Sequence, residues 1–312
     1  MHRNAKVTIF FLFVVFGILL TGCGKPKPFA NWYIQGEYER TWNQVLRGAE
    51  PPIAFKEVRV WDEKTPPPEA GIWITTEPWE KQGRVEVYFR LSYDLEYRGA
   101  IVLALDPWMV FRKHFNPGLS ENRALSDAGG AGLMLIPGRD PLYVQAWVSR
   151  LVQKSPGVFS EESSWQECEG SLFKGRRFPQ GSQSYNLNDV LFRLMGNQEG
   201  WLYAPLSAIR NYRNSQKAIL EATPFPESPD NSQFSLHANK ILWAVLIGSD
   251  KEKEKLAGTL TWLKNPKTQT IIADAFEWIP ADPYGQPYDP VSLSSHRNWL
   301  TANYIYVLNS DL

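Results

Sequence analysis

Several features that identify particular classes of protein are scarce in this 312-residue chain. It has 2 cysteines, which excludes a small domain held together by disulfides. It has 4 histidines and no His-Glu-x-x-His motif, paired metal-ligand spacing or Gly-x-Ser-x-Gly elbow, so we predict no metal site, no cofactor and no enzymatic activity. Its 33 basic residues balance 33 acidic ones, which argues against a nucleic-acid partner.

Aromatic residues, by contrast, are abundant, with 13 Trp, 13 Tyr and 16 Phe. Such rings supply large buried areas or flat surfaces on which a ligand can stack. The 43% hydrophobic and 21% charged residues are typical of a globular protein rather than a disordered chain. The length allows one large domain or two modest ones.

The N-terminus has the pattern of a targeting segment. Arg3 and Lys6 precede an apolar run from Val7 to Leu20, which is shorter than the roughly 20 residues of a membrane span. Leu20-Thr21-Gly22-Cys23 follows and resembles the lipobox of bacterial lipoproteins. We predict a signal peptide over 1–22, a lipid on Cys23, a stiff tether over 23–28, and a location in the cell envelope facing the periplasm or the exterior. The alternative is an uncleaved anchor helix with an incidental cysteine.

The first third of the mature chain predicts a parallel α/β layer. Strands are predicted at Phe29–Ile34, Phe55–Trp61, Gly71–Thr75, Val85–Leu91 and Ala100–Leu105, and a helix at Glu37–Arg47. The middle third predicts helices at Asp140–Gln153, Asn188–Met195 and Leu206–Asn214. The last third predicts a strand at Lys240–Ile247 and helices at Lys251–Leu263 and Pro266–Phe276.

Three short motifs near the C-terminus carry a resemblance. They are Trp262-Leu263, Asn265-Pro266-Lys267-Thr268-Gln269 and Trp278-Ile279-Pro280-Ala281. In these motifs the chain resembles the extracellular solute-binding proteins of bacterial ABC transporters. At the start, Gly71 to Trp79 occupies the place of the apolar strand that ends in a loop on the ligand side.

The resemblance implies an α/β fold of two lobes, of the type II periplasmic-binding-protein kind, with a ligand in the cleft and closure by hinge bending. Residues 29–105 and 226–312 would form the first lobe, and 106–225 a second, mainly helical lobe. The mature chain is short for this resemblance, which predicts a reduced second lobe. The implied partners of such a monomer are a small-molecule solute, an ABC permease and, through Cys23, the membrane.

Candidate ligand-binding residues follow from the rule that ligands bind at the carboxyl ends of strands in open α/β sheets. Thr75, Glu77 and Trp79 follow one predicted strand, and Asp106 and Trp108 follow another. Glu77 could accept hydrogen bonds from hydroxyl groups, and Trp79 could stack on a sugar ring. From the second lobe we add Trp201, Tyr203 and Arg210, in a stretch predicted to be helical. For each aromatic residue the alternative is ordinary packing in the core.

The sequence leaves three functions open. The first is binding of a small solute, with a carbohydrate-like molecule favoured, and its delivery to a permease. The second is a structural or adhesive surface lipoprotein that keeps the fold without transport. The third is an exported hydrolase. Only the first predicts that a small molecule stabilises the protein without being turned over.

Overall fold

The fold was analysed in a computed structural model of the chain. It describes residues 30–52, 55–77, 85–88, 95–97, 99–113, 133–144, 146, 181–196, 200–212, 219–223, 235–299 and 304–308. The predicted signal peptide, Cys23, Trp79 and most of the helix predicted at Asp140–Gln153 lie outside these residues. In the ranges above, no helix has the length and apolar character needed to cross a membrane.

Three parallel strands open the fold. They are β1 (Asn31–Ile34), β2 (Val58–Val60) and β3 (Gly71–Thr75), and β1 lies between the other two. A short 3-10 helix (Gly36–Tyr38) and helix α1 (Glu39–Ala49) connect β1 to β2. Because β1 and β3 are parallel neighbours, their carboxyl ends lie side by side at one edge of the sheet.

Two long antiparallel strands form the centre of the molecule: β6 (Ala100–Lys113) and β10 (Ser235–Ile247). Up to Pro107, β6 pairs with β10, which in turn pairs with β3. From Trp108 onward, β6 pairs instead with β8 (Gly200–Pro205) and β9 (Leu220–Thr223). Strand β7 (Leu133–Leu135) runs parallel to β8. One strand therefore joins two groups of strands, and it changes partners at Asp106–Trp108.

Four short strands complete the pairing among the described residues: β4 (Val85–Tyr88), β5 (Glu96–Tyr97), β11 (Ile279–Pro280) and β12 (Tyr304–Leu308). Strands β5 and β11 are antiparallel to the first half of β6. Strand β12 is parallel to β10 and antiparallel to β4.

The pairing of β10 with β6 is interrupted by a bulge at the change of partners. Ala238 lies opposite Pro107, whereas Lys240 lies opposite Asp106, so Asn239 is an extra residue on β10. A bulge bends a strand and redirects the side chains around it. The bulge thus sets the directions of Asn239 and Lys240.

The remaining helices lie mostly in the last third of the chain. Their bounds are α2 (Leu187–Met195), α3 (Asp250–Lys255), α4 (Ala257–Leu263), α5 (Pro266–Phe276) and α6 (Pro290–Trp299), and two 3-10 helices occur at Ser182–Ser184 and Leu206–Ile209. Gln269 of α5 is buried and ties the helix to the sheet, since its Nε2 donates to Val102 O (3.0 Å) and its Oε1 accepts from Asp282 N (2.7 Å).

The predicted elements of the first and last thirds are confirmed in type, and β3 and α5 are confirmed residue for residue. The single helix predicted at Lys251–Leu263 is two helices that meet at Leu256, whose backbone N donates to Lys253 O in a turn of the 3-10 type. Of the helix predicted at Leu206–Asn214, Leu206–Ile209 is a 3-10 helix and 210–212 form a turn, in which Arg210 N donates to Ser207 O and Tyr212 N to Ile209 O; 213–214 lie outside the described residues.

The middle of the chain contains more sheet than predicted. Trp201 and Tyr203 lie on strand β8 and not on a helix, so that prediction is wrong. Within the described part of 106–225, strands β7, β8 and β9 accompany the end of β6, next to helix α2. A continuous apolar run such as Trp201–Pro205 does not distinguish a buried strand from a buried helix by periodicity.

Candidate functional site

The ends of β1 and β3 are tied together by one side chain. Gln35, the residue after β1, accepts through its Oε1 hydrogen bonds from the backbone N (3.1 Å) and the Oγ1 (3.2 Å) of Thr76. Thr75, the last residue of β3, is buried, and its Oγ1 accepts from Glu77 N (3.0 Å). Thr76 and Glu77 are half-buried, so this edge presents polar groups in a fixed arrangement.

Lys240, the residue after the bulge, reaches the same edge. Its Nζ donates to Tyr38 Oη (2.8 Å) and to Glu37 Oε1 (3.2 Å), and it lies 5.4 Å from the centroid of the Tyr38 ring. The side chains of Lys240 and Glu37 remain 39% and 55% exposed. The charges of Lys240 and Glu37 compensate each other, and the pair still offers hydrogen-bond donors and acceptors.

Tyr38 stays a neutral phenol at physiological pH. Burial raises the pKa of its hydroxyl well above the usual value, and the nearby carboxylates of Glu37 and Asp106 raise it further. A neutral phenol can both donate and accept a hydrogen bond, which suits recognition of hydroxyl groups.

Asp106 lies fully buried where β6 changes partners. Its Oδ1 accepts from Ser207 N (2.8 Å), and its Oδ2 accepts from Ser207 Oγ (2.6 Å) and Asn239 Nδ2 (2.8 Å). Burial raises the pKa of the Asp106 carboxyl, and the hydrogen bonds from Asn239 and Ser207 oppose that rise. The carboxyl therefore joins β10 to the segment that follows β8.

Aromatic rings surround the far side of this junction. The Trp108 ring packs on Tyr203 of β8 (centroids 5.2 Å apart) and on Tyr143 (5.3 Å, edge to face). Tyr203 also lies 6.4 Å from the ring of His237, a buried residue of β10. Burial raises the pKa of the Tyr143 hydroxyl above its usual range, with the charges of Asp140 and Asp106 adding to the effect. Tyr38 and Tyr143 therefore both lie in the field of the Asp106 carboxyl.

The structure places the predicted site residues in different environments. Trp108, Trp201 and Tyr203 are buried, whereas Arg210 is exposed after the 3-10 helix. Of these, the structure brings Trp108 and Tyr203 into contact, next to the junction at Asp106. Thr75 and Glu77 lie together at the end of β3. The ligand-binding roles of all these residues, and of Trp79 beyond the described ranges, stay predictions.

Sequence reasoning missed Gln35, Glu37, Tyr38, Asn239 and Lys240. The first three could have been found, because they follow the first predicted strand and the rule applied to Thr75 covers them equally. Asn239 and Lys240 had no such signal, since the bulge that directs them is not visible in the hydrophobic pattern. Among the residues that the structure describes, no group of three or more His, Cys, Asp or Glu side chains could hold a metal ion.

Comparisons by sequence and by structure give different results. No protein-family model matches the sequence. No curated protein matches it either. Solved structures do match over most of the chain. The bacterial solute receptor AcbH, described as having an exclusive preference for b-D-galactopyranose, aligns with a TM-score of 0.65 and 10% identity over 91% of this chain and 88% of its own.

This chain has the fold of the bacterial solute-binding proteins. RafE from Streptococcus pneumoniae aligns with a TM-score of 0.59 and 13% identity over 91% of this chain and 90% of its own. A structure of RafE in complex with raffinose aligns with a TM-score of 0.51 and 12% identity over 90% of both chains. A probable secreted solute-binding lipoprotein from Streptomyces coelicolor gives 0.58 and 14% over 87% and 86%.

These matches confirm the predicted α/β fold of two lobes. The alignments cover 86% to 90% of these solute-binding proteins, and the reduced second lobe stays a prediction. At sequence identities of 10% to 14%, these similarities show a shared fold only.

Proposed function

We propose that this chain is a solute-binding protein that takes a neutral, hydroxyl-rich small molecule of the carbohydrate class. The observation that carries the proposal is the polar edge formed by Gln35, Glu37, Tyr38, Thr76 and Lys240, at the carboxyl ends of β1 and β3. In open α/β sheets this is the position at which ligands bind. The shared fold with solute-binding proteins supports the same function.

The chemistry of the edge favours a neutral solute over an ion. Lys240 is already paired with Glu37 and Tyr38, so neither an anion nor a cation finds an uncompensated charge on this pair. A sugar hydroxyl can accept from the Lys240 ammonium and donate to the Glu37 carboxylate at the same time. Hydrogen bonds to charged groups of this kind contribute about 1.5–3 kcal/mol each.

We further propose that the protein works outside the cytoplasm, anchored through a lipid on Cys23, and passes its solute to an ABC permease. The lipobox-like Leu20–Cys23 supports the anchor. A location outside the cytoplasm is supported by the S. coelicolor protein of the same fold, which is described as a probable secreted solute-binding lipoprotein.

A thermal-shift panel on the full-length chain in detergent tests solute binding. The panel contains D-galactose, raffinose, chitin oligosaccharides, spermidine and amino acids. A solute at about 100 times its Kd stabilises the folded state by about 2.7 kcal/mol, which raises Tm by roughly 4 °C in a chain of this size. We expect a sugar to give that rise and spermidine and amino acids to give none.

A pair of lysine variants then locates the site. Lys240→Met removes a charged donor at the edge and is expected to weaken sugar binding, measured by titration calorimetry, about tenfold or more. The control is Lys253→Met on helix α3. This helix follows the C-terminal end of β10, which lies roughly 20 Å or more along the strand from Lys240. Equal affinity of the two variants would remove Lys240 from the site.

The alternative functions give different results in the same experiments. A structural or adhesive lipoprotein gains no stability from any member of the panel. An exported hydrolase turns over a chromogenic glycoside, and its product accumulates with time. Stabilisation without turnover supports the proposed function.

A further inference from the structure

Two exposed tyrosines lie near each other in the loop that follows β11. Tyr284 is 76% exposed and Tyr288 is 85% exposed. Most large hydrophobic side chains that the structure describes are buried, and besides these two only Val60 and Phe192 are exposed among them. Single exposed aromatic residues are ordinary on a protein surface, but two within one short loop form a patch.

The side chains of this loop alternate between the two sides of the chain. Tyr284, Gln286 and Tyr288 are exposed, whereas Gly285 and Pro287 between them are buried. This is the period of an extended chain, in which every second side chain points to the same side. We call Tyr284, Gln286 and Tyr288 the aromatic strip. At about 3.3 Å per residue, the backbone positions of its two rings are up to about 13 Å apart.

The second half of the aromatic strip is held by side chains of helix α5. Gln286 N donates to Thr270 Oγ1 (3.0 Å), and Tyr288 N donates to Asp274 Oδ1 (3.1 Å). Thr270 and Asp274 are four residues apart in α5, so both acceptors lie on one face of the helix. The strip therefore runs along that face, with its backbone bonded to the helix and its side chains exposed.

The first half of the loop is fixed as well. Tyr284 N donates to Asp282 Oδ1 (2.7 Å), and Gly285 N donates to Asp282 O (3.1 Å), which closes a turn. Gly285 packs so closely on β11 that a Cβ in its place would lie 2.7 Å from Pro280 Cγ. The aromatic strip is thus held at both ends before any ligand arrives, which lowers the entropic cost of binding.

The exposed groups of the aromatic strip are two tyrosine rings and one carboxamide, which carry no formal charge. The carboxylates nearby are used to hold the chain in place. Asp274 and Asp282 accept from backbone amides of the strip, and Asp289 Oδ2 accepts from Ser292 N (2.8 Å) and Oγ (3.0 Å). One oxygen of Asp274 and one of Asp289 are buried. The strip therefore favours a neutral ligand over an ionic one.

The strip is too narrow for a stable interface with another protein. Such an interface buries about 800 Å² on each partner around an apolar core. The other exposed large hydrophobic side chains that the structure describes, Val60 on β2 and Phe192 on α2, belong to other elements. Separate flat rings with a carboxamide between them suit a sugar chain instead, because the rings can stack on sugar faces and the amide can donate to and accept from hydroxyl groups.

We infer that the aromatic strip binds a neutral oligosaccharide or polysaccharide chain on the outer side of α5. Tyr284 and Tyr288 stack on two different sugar residues of the chain, and the Gln286 amide bonds to hydroxyl groups between them. A single sugar reaches one ring only, so affinity rises with the length of the chain. This site is additional to the polar edge at β1 and β3 and does not depend on the proposed function.

The test is titration calorimetry of the full-length chain in detergent with xylohexaose, chitohexaose and maltohexaose. At least one hexasaccharide is expected to bind the wild type more tightly than its own monosaccharide does. The double variant Tyr284→Ala/Tyr288→Ala is expected to weaken that binding about tenfold or more. Tyr284→Phe/Tyr288→Phe keeps both rings and is expected to stay within about threefold of the wild type. The Tm of both variants should remain that of the wild type, since the side chains are exposed.

Two control variants separate the aromatic strip from other surfaces. Phe192→Ala removes an exposed ring of α2, and Lys240→Met changes the polar edge; both are expected to leave hexasaccharide binding unchanged. The inference is overturned if no hexasaccharide binds, if the double Ala variant binds as the wild type does, or if Lys240→Met weakens binding equally, which would place the sugar chain at the polar edge. A dimer of the wild type in sedimentation that the double Ala variant abolishes would also overturn it. The proposed function is tested separately, by the thermal shift with galactose or raffinose.

Discussion

Replacing Asp106 by Ala tests whether its carboxyl joins the two groups of strands. The change removes the acceptor for three hydrogen bonds, two from Ser207 and one from Asn239. Because Asp106 is fully buried at the change of partners of β6, no other acceptor among these contacts replaces it.

The size of the effect follows from which donors can find new partners. The backbone N of Ser207 cannot turn away, and a buried donor left unpaired costs about 1–3 kcal/mol. The Ser207 hydroxyl and the Asn239 amide belong to half-buried residues and can rotate toward water, so each adds less. A total of about 2–4 kcal/mol corresponds to a fall in Tm of roughly 3–6 °C for a chain of this size.

The loss of stability caused by Asp106→Ala is expected to decrease as the pH rises. The raised pKa of Asp106 means that the folded protein holds its proton more tightly than the unfolded chain does. That contribution to stability is complete below the unfolded carboxyl pKa of about 3.9 and is lost as the pH rises through the folded pKa. The difference in urea midpoint between wild type and Asp106→Ala should therefore shrink as the pH rises from about 4 towards neutrality, and other titrating groups cancel because both proteins contain them.

Asp106→Asn is the matched control. The amide oxygen keeps one acceptor for Ser207 N, and the Ser207 hydroxyl and Asn239 amide can turn to accept from the new NH₂ group. It should cost clearly less than Asp106→Ala. A Tm of Asp106→Ala within 2 °C of wild type would refute the reasoning. So would a penalty that grows with pH, because the hydrogen bonds would then outweigh the burial of the charge.

Three further predictions concern the anchor, the edge and the sheet. Cys23→Ser should abolish labelling by a palmitate analogue and release the protein from membranes; persistent labelling contradicts the lipobox interpretation. Trp79→Ala should weaken sugar binding about tenfold with little change in Tm, whereas a Tm loss worth about 3–5 kcal/mol would place Trp79 in the core. Gly71→Ala should unfold or strongly destabilise the chain, since its Cβ would lie 2.2 Å from Asn31 O; the control Gly258→Ala has open space and should gain about 0.5–1 kcal/mol, measured by urea unfolding.

Local sequence patterns were sufficient to predict strand β3 and helix α5. The run Gly71–Thr75 is β-branched and apolar and is bounded by turn residues, so its strand was predicted residue for residue. Helix α5 begins with Asn265 as the N-cap and Pro266 at the first helical position, a pair of signals that depends on neighbouring residues only. Such signals do not depend on how the chain folds back on itself.

Strand β6 shows where local sequence patterns no longer predict the structure. Asp106 and Pro107 interrupt its apolar pattern, yet the strand continues to Lys113 because β8 and β9 pair with its second half from about 90 or more residues away in sequence. The prediction of a mainly helical middle region has the same cause, because it left out pairing between strands that are distant in sequence. Pairing with distant strands decided the structure there.

Two residues of the candidate site, Asn239 and Lys240, depend on one bulge, and this explains why they could not be predicted. In regular pairing, neighbouring residues of β10 would point to opposite faces of the sheet. Here Asn239 is the extra residue of the bulge, and its side chain donates to Asp106. The side chain of the next residue, Lys240, donates to Glu37 and Tyr38. The bulge thus links the polar edge of the first strands to the buried junction on β6. Lys240, which would contact the solute, is therefore the sequence neighbour of Asn239, whose side chain donates to the Asp106 carboxyl that also accepts from Ser207.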